Sequence, residues 1–107
     1  MKISGTIGLF VNEKQTQDKK AKYISYETYL QAKNENGEVV ERVYIPVLLK
    51  KNVDKSLFTP GKCYNLELDD TADNNLTLTY YNGKTKQIIY LEKFNIKSSY
   101  DIKRKQA

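Results

Sequence analysis

The sequence predicts a single all-β domain, folded as a small barrel of five to six strands with at most one short helical turn. Apolar residues alternate with polar ones along most of the 107 residues, which is the period of strands with one buried face. Asn36-Gly37 and Asn82-Gly83 interrupt this alternation with the residue pairs that favour tight hairpins. Short all-β chains commonly close into a barrel, because closure removes exposed strand edges.

The first predicted strand covers residues 2–11, where Gly5 and Gly8 indicate a bend. Residues 12–22 are polar throughout and are predicted to form a loop. This loop carries four lysines, namely Lys14, Lys19, Lys20 and Lys22. The second and third predicted strands, residues 23–33 and 38–49, follow it and are joined at Asn36-Gly37.

Two registers are open for this hairpin. A two-residue loop places Glu35 opposite Glu38, an unfavourable pair of like charges. A four-residue loop places Tyr29 opposite Arg42 and is therefore preferred. Both registers give the same faces, because they differ by an even number of residues. One face points to the core with Ile24, Tyr26, Thr28, Leu30, Val43, Ile45 and Val47. The other face presents Tyr23, Tyr29, Arg42 and Tyr44 to solvent.

The second half of the chain begins with an irregular segment at 50–62, where a helical turn near 54–58 brings Leu57 and Phe58 to the core. Strands are predicted at 62–69, 75–81 and 84–96. Their inward residues are Tyr64, Leu66, Leu68, Leu76, Leu78, Tyr80, Ile89 and Leu91. Near the tip of the last hairpin, Tyr81, Lys84 and Lys86 are expected to lie near the outward surface. Residues 1–97 then form the domain, and residues 98–107 a basic, flexible tail.

The residue types argue against catalysis. The chain has no histidine, and its single cysteine, Cys63, cannot form an internal disulfide or a thiolate cluster for zinc. Acidic residues cluster at Glu67, Asp69, Asp70 and Asp73, which we interpret as a solvated turn rather than a metal site. We therefore expect no enzyme activity, no cofactor and no metal. No apolar run approaches the length of a membrane span, so we expect a cytoplasmic protein without membrane contact.

Charge and aromatic content point to nucleic acid. The 18 Lys and Arg residues exceed the 13 Asp and Glu residues, which gives a net charge of +5. Only Arg42 and Arg104 are arginines, and a lysine-rich surface suits phosphate contacts better than base readout. Nine tyrosines are too many for so small a core, so several must lie at the surface.

Three features carry a resemblance to a known family: the strand order, the segment GKCYNLEL (61–68) and the segment YYNGKTKQIIYLEKF (80–94). On these features, residues 2–96 resemble OB-fold single-stranded DNA-binding proteins, especially the small ones of phages and conjugative elements. The resemblance implies a Greek-key barrel whose ligand crosses the face of strands 2 and 3, between the first loop and the late hairpin. The residues at those places are Tyr23, Tyr29, Arg42, Tyr44, Lys19, Lys20, Lys22, Tyr81, Lys84 and Lys86. Unlike the bacterial housekeeping proteins of this kind, which end in an acidic partner-recruiting tail, this chain ends in the basic DIKRKQA.

The resulting hypothesis is sequence-tolerant binding of single-stranded DNA by stacking and lysine–phosphate contacts. The resemblance implies a role in DNA replication, recombination or transfer of a phage or plasmid, and homo-oligomers would raise avidity. Two alternatives remain open. The exposed tyrosines also suit a β-barrel adaptor that binds protein, and stacking alone does not distinguish single-stranded RNA from DNA.

Overall fold

The computed structural model describes residues 1–102, with all side chains of that range except those of Ala32 and Tyr81. Over this range the chain is all-β, with seven strands and one short 3-10 turn. The strands are β1 (Gly5–Gln15), β2 (Lys22–Lys33), β3 (Val39–Leu49), β4 (Lys62–Leu68), β5 (Asn75–Tyr81), β6 (Lys84–Leu91) and β7 (Phe94–Asp101). The all-β prediction is confirmed, but the number of strands exceeds the five or six expected.

The strands pair in the order β5-β6-β3-β2-β1-β4-β7, so β5 and β7 are the two edges. Within this order, β4-β1-β2-β3 is a Greek key, in which the fourth strand returns beside the first. The predicted closure into a barrel is not observed. Because β4 pairs with β1 as far as Gly5, only the first few residues reach β5, through an isolated bridge between Lys2 and Asn75.

The core lies on one face of the curled sheet. Its buried residues are Leu9, Val11, Ile45, Val47, Phe58, Tyr64, Leu66, Leu68, Ile89 and Leu91. The predicted helical turn is present at Lys55–Leu57, where the Asp54 carboxylate accepts the Ser56 N–H at 2.9 Å. Phe58 fills the core as expected and packs edge-on against Tyr64, with ring centroids 5.1 Å apart. Leu57, in contrast, is exposed.

The β2–β3 register differs from the preferred prediction. Tyr29 lies opposite Tyr44, and Arg42 lies opposite Gln31, which is the pairing of the two-residue-loop alternative. The like-charge pair of that alternative is avoided because a bulge between Ala32 and Lys33 shifts the register by one residue next to the turn. The reason is local. The Asn34 side chain accepts the backbone N–H groups of Asn36 and Glu38, both at 3.0 Å, and so tightens the turn. The predicted faces are unaffected in the body of the hairpin, since the bulge lies beyond Arg42.

Both long hairpins extend past the end of the core. Four residues predicted to be inward are therefore exposed on the core-side face, where no other element of residues 1–102 covers them: Leu30, Val43, Leu78 and Tyr80. A fifth, Ile24 near the start of β2, is 38% exposed as well. The alternation correctly predicted which face of the sheet these residues lie on. A face is buried, however, only where another layer packs against it.

The predicted strand at 84–96 is two strands. β6 ends at Leu91 and β7 begins at Phe94, because the buried side chain of Asn74 binds the backbone of Asp69, Glu92 and Lys93 at this corner. Residues 98–101, assigned to a flexible tail from the sequence, therefore belong to β7 and pair with β4. The domain extends beyond residue 97, and residues 103–107 of the predicted tail lie outside the described residues.

Candidate nucleic-acid interface

Tyr29 and Tyr44 form the centre of the sheet face that points away from the core, called the outer face below. They are directly opposite each other on β2 and β3. Their ring centroids are 5.8 Å apart and the ring planes are inclined by 48°. Tyr29 is 36% and Tyr44 63% exposed, so each ring keeps accessible surface after the two have packed together.

A third ring, that of Phe10, continues this arrangement onto β1. Its centroid lies 5.4 Å from that of Tyr29, with an interplanar angle of 39°. Phe10, Tyr29 and Tyr44 therefore form one row across three neighbouring strands, called the aromatic row below. Phe10 was not among the predicted site residues, although strand alternation between the buried Leu9 and Val11 puts it on the face opposite the core.

Arg42 lies on the same outer face, two residues before Tyr44 on β3 and opposite Gln31. Its guanidinium is exposed, and it forms no ion pair among residues 1–102. An exposed guanidinium beside a ring can bind a phosphate or stack on a base. Arg42 and the tyrosine pair are thus brought together as the sequence predicted, although in a different register.

Tyr23 shares the outer face but lies apart from the aromatic row. It is opposite Lys14 at the far end of β2, and six residues of strand put it about 20 Å from Tyr29. Between them, Glu27 forms an ion pair with Lys14 at 2.7 Å. The hydrogen bond from Lys14 to Glu27 raises the pKa of Lys14 and keeps it charged. This pair makes the middle of the face less positive than the lysine count suggests.

The first loop is shorter than predicted, because the β1–β2 ladder extends to the pair Gln15 and Lys22. Lys22 is therefore a strand residue, and its ammonium lies 3.4 Å from the Glu13 carboxylate. Lys19 and Lys20 remain at the loop tip. The turn is held by Asp18, whose carboxylate accepts the Thr16 hydroxyl and the Lys20 N–H, and these bonds lower the pKa of Asp18.

The late hairpin lies on the other side of the aromatic row. Asn82 and Gly83 both have positive φ, of 50° and 75°, which confirms the predicted tight turn. Lys84 and Lys86 are exposed on β6, and Lys86 lines a cleft of ≈ 590 Å³ together with Tyr44 and Pro46. The backbone of Tyr81 pairs with that of Lys84, but the structure does not describe the Tyr81 side chain.

Next to the aromatic row is a second feature that was not predicted from the sequence. A recess of ≈ 360 Å³ lies between Phe10 and Tyr29 on one side and Tyr100 of β7 on the other. Cys63, opposite both Phe10 and Tyr100, is buried at its base. A hydrogen bond with the Cys63 thiol raises the pKa of Tyr100. Tyr100 was not among the predicted site residues because it lies within residues 98–107, which the sequence predicted to be a flexible tail.

The outer face therefore offers rings, one guanidinium and lysines at both borders. Within residues 1–102, no group of three Cys, Asp or Glu side chains could hold a metal ion. No helix in this part of the chain is long and apolar enough to cross a membrane. The chain gives no significant match to a family model, a curated protein or a solved structure, and its function is inferred from this face.

Proposed function

We propose that this chain binds single-stranded DNA without strong sequence preference, across the outer face of β1, β2 and β3. The observation that carries this proposal is the aromatic row, three solvent-facing rings on three neighbouring strands. Unpaired bases stack on such rings whatever their identity, because every base has a π face. A DNA strand would cross the sheet from β3 towards β1 and meet one ring per strand.

The distribution of charge supports this path. Arg42 lies beside the row, Lys19 and Lys20 lie at the first loop, and Lys84 and Lys86 at the late hairpin. Phosphates beside the stacked bases would reach Arg42 and the lysines of the late hairpin. The first loop lies beyond Tyr23, more than about 20 Å from Tyr29, and would contact phosphates farther along the strand. Lysines act as point charges, so they favour affinity that depends on salt over readout of base edges.

The arrangement of strands supports an OB-like Greek key within an open sheet. The key β4-β1-β2-β3 is extended by β6, which returns parallel to β3 at Val47–Leu49. The first loop and the β5–β6 hairpin then flank the β2–β3 face, as the ligand-binding loops of an OB-fold do. In this proposal β7 is an addition at the edge of the sheet.

Fluorescence anisotropy with a labelled oligo-dT tests the function directly. The titration is made at a low and a high salt concentration and repeated with duplex DNA and with an RNA of the same length. We expect saturable binding of the single strand at low salt, weaker binding at high salt and a clear preference over duplex. No binding at low salt, or equal affinity for duplex, would reject the proposal, and preference for RNA would redirect it to that nucleic acid.

A second candidate function is protein binding, favoured by the exposed apolar residues at the hairpin ends. Leu78 is 69% and Tyr80 75% exposed on the side opposite the aromatic row. Exposed apolar residues of this kind are common at protein interfaces. This candidate would gain support if the protein failed to bind any single strand.

A further inference from the structure

The recess next to the aromatic row lies where the sheet divides. The β1–β2 ladder ends at Phe10 and Glu27. Beyond that pair, β1 continues along β4 and β2 continues along β3, so the two strands separate. Thr28 and Leu30 also line the recess. The side chains of Thr28 and Leu30 point to the core side of the sheet, so β2 contributes its backbone edge to the recess.

The floor of the recess exists because residue 8 is glycine. Gly8 has the same side-chain parity as Phe10, so any side chain at this position would point into the space. A Cβ placed on Gly8 would lie 3.6 Å from the Cys63 Sγ, an ordinary contact distance. The backbone of Gly8 is not in the left-handed region, so the fold accommodates a Cβ at this position, and a longer side chain would extend from it into the recess.

The walls combine rings with uncharged polar groups. Tyr100, which is 52% exposed, faces Phe10 and Tyr29 across the recess. Asn65 donates its amide N–H to the Ser98 hydroxyl at 2.8 Å, which leaves its carbonyl oxygen as an acceptor. Gln31 adds a second amide. None of the lining side chains is charged, and this suits a nucleobase better than a phosphate.

We propose that the recess takes up one unstacked nucleobase of the bound strand, between the Phe10–Tyr29 pair and Tyr100. This inference rests on the proposed function and extends its site by two strands. In the order of the sheet, Tyr44 on β3 and Tyr100 on β7 are four strands apart. The edge strand β7 is then part of the binding surface. Affinity then depends on the presence of a base at one position of the bound DNA strand.

Leucine at position 8 tests this directly. The probe is the shortest oligo-dT that wild type binds with full affinity, together with a series in which each position in turn is abasic. Gly8→Leu is expected to bind the intact oligonucleotide about 5- to 150-fold more weakly, the value of one lost base stack. At one position the abasic penalty seen with wild type should disappear in Gly8→Leu, because the base there no longer has a site.

Thr6→Leu is the matched control. Thr6 lies on the same face of β1, opposite Glu67 and outside the recess, and its variant should bind like wild type. Tyr100→Leu and Tyr100→Phe provide a second pair, in which only the leucine variant should lose affinity. The inference is overturned if Gly8→Leu keeps every abasic penalty or if Tyr100→Leu binds like wild type. If wild type binds no single strand at all, the proposed function fails as well, which is a different result.

Discussion

The side chain of Asn74 binds both backbone polar groups of Lys93. Its Nδ2 donates to the Lys93 carbonyl oxygen at 2.9 Å, and its Oδ1 accepts the Lys93 N–H at 3.2 Å. The same Oδ1 accepts the Glu92 N–H at 2.7 Å. One buried amide thus replaces ladder hydrogen bonds at the corner between β6 and β7. Through this corner, β7 is turned back beside β4 and brings Tyr100 to the outer face.

Asn74→Ala is therefore expected to lower the free energy of unfolding by about 2–4 kcal/mol. The substitution leaves several backbone groups at the corner without partners, and such groups are costly when buried. Asn74 itself is 0% exposed, so water cannot easily take the place of the amide. The measurement is urea denaturation followed by circular dichroism.

Asn52→Ala is the control for this change. Asn52 is exposed and donates a single long hydrogen bond, of 3.4 Å, to the Glu92 carbonyl oxygen. Its loss should cost less than about 1 kcal/mol. Equal effects of the two substitutions would contradict the structural role assigned to Asn74.

The corner also shows what the sequence could not predict. Strands β2 to β5 were located within one residue at each end, because alternation and local turn signals define them. The break between β6 and β7 depends instead on Asn74, a residue 18 positions before Glu92. The extension of β1 to Gln15 was not predicted because its own residues, 12–15, are all polar and give no hydrophobic alternation.

The part of the candidate site that was predicted correctly is the part in which strand alternation alone determines which face a residue lies on. Tyr29, Tyr44 and Arg42 share a face in every register considered, so an error in the register did not matter. The contact between Tyr29 and Phe10 depends on how β1 lies beside β2, which alternation within one strand does not determine. Gly8 gave a signal of backbone bending, but its role in opening the recess depends on Cys63 of another strand.

Removal of the central rings is expected to weaken binding of single-stranded DNA. Tyr29→Ala and Tyr44→Ala should each reduce affinity by about 1–3 kcal/mol, the range for one base stack. The double variant should lose less than the sum, because the two rings contact each other and couple. Anisotropy titration with oligo-dT at low salt measures both quantities.

The matched control is Tyr80→Ala. Tyr80 is also an exposed tyrosine in a hairpin, but it lies on the core-side face, away from the aromatic row. Its variant should bind oligo-dT like wild type. If the Tyr29 and Tyr44 double variant bound as tightly as wild type, base stacking on the aromatic row would be rejected.

The first loop is expected to contribute through counterion release. Lys19 and Lys20 lie at its tip, and their ammonium groups form no ion pair among residues 1–102. If each contacts one phosphate of a single strand, Lys19→Gln combined with Lys20→Gln should reduce the slope of log K against log salt by about 1.4. The slope is measured from titrations at four or more salt concentrations.

Lys51→Gln combined with Lys55→Gln is the control for the loop variant. These lysines belong to the connector after β3, whose Phe58 packs on the core side of the sheet. The control removes the same charge but should leave the slope unchanged. An equal change of slope in both double variants would show that net charge, rather than the first loop, determines the salt dependence.

Stability is expected to fall in acid, and Asp69 is one identifiable cause. The Thr71 hydroxyl and backbone N–H donate to the Asp69 carboxylate, and with Lys93 they lower the pKa of Asp69 below its ordinary 3.8. Folding thus favours the ionised form, so the stabilisation is present above pH 3.8 and is lost as the pH falls through the lower, folded-state pKa. Asp69→Asn should therefore lose less stability than wild type when urea midpoints are compared between pH 6 and pH 3. Asp70→Asn, at a neighbouring carboxylate without a hydrogen bond among the described residues, is the control, and identical pH profiles for the two variants would contradict this assignment.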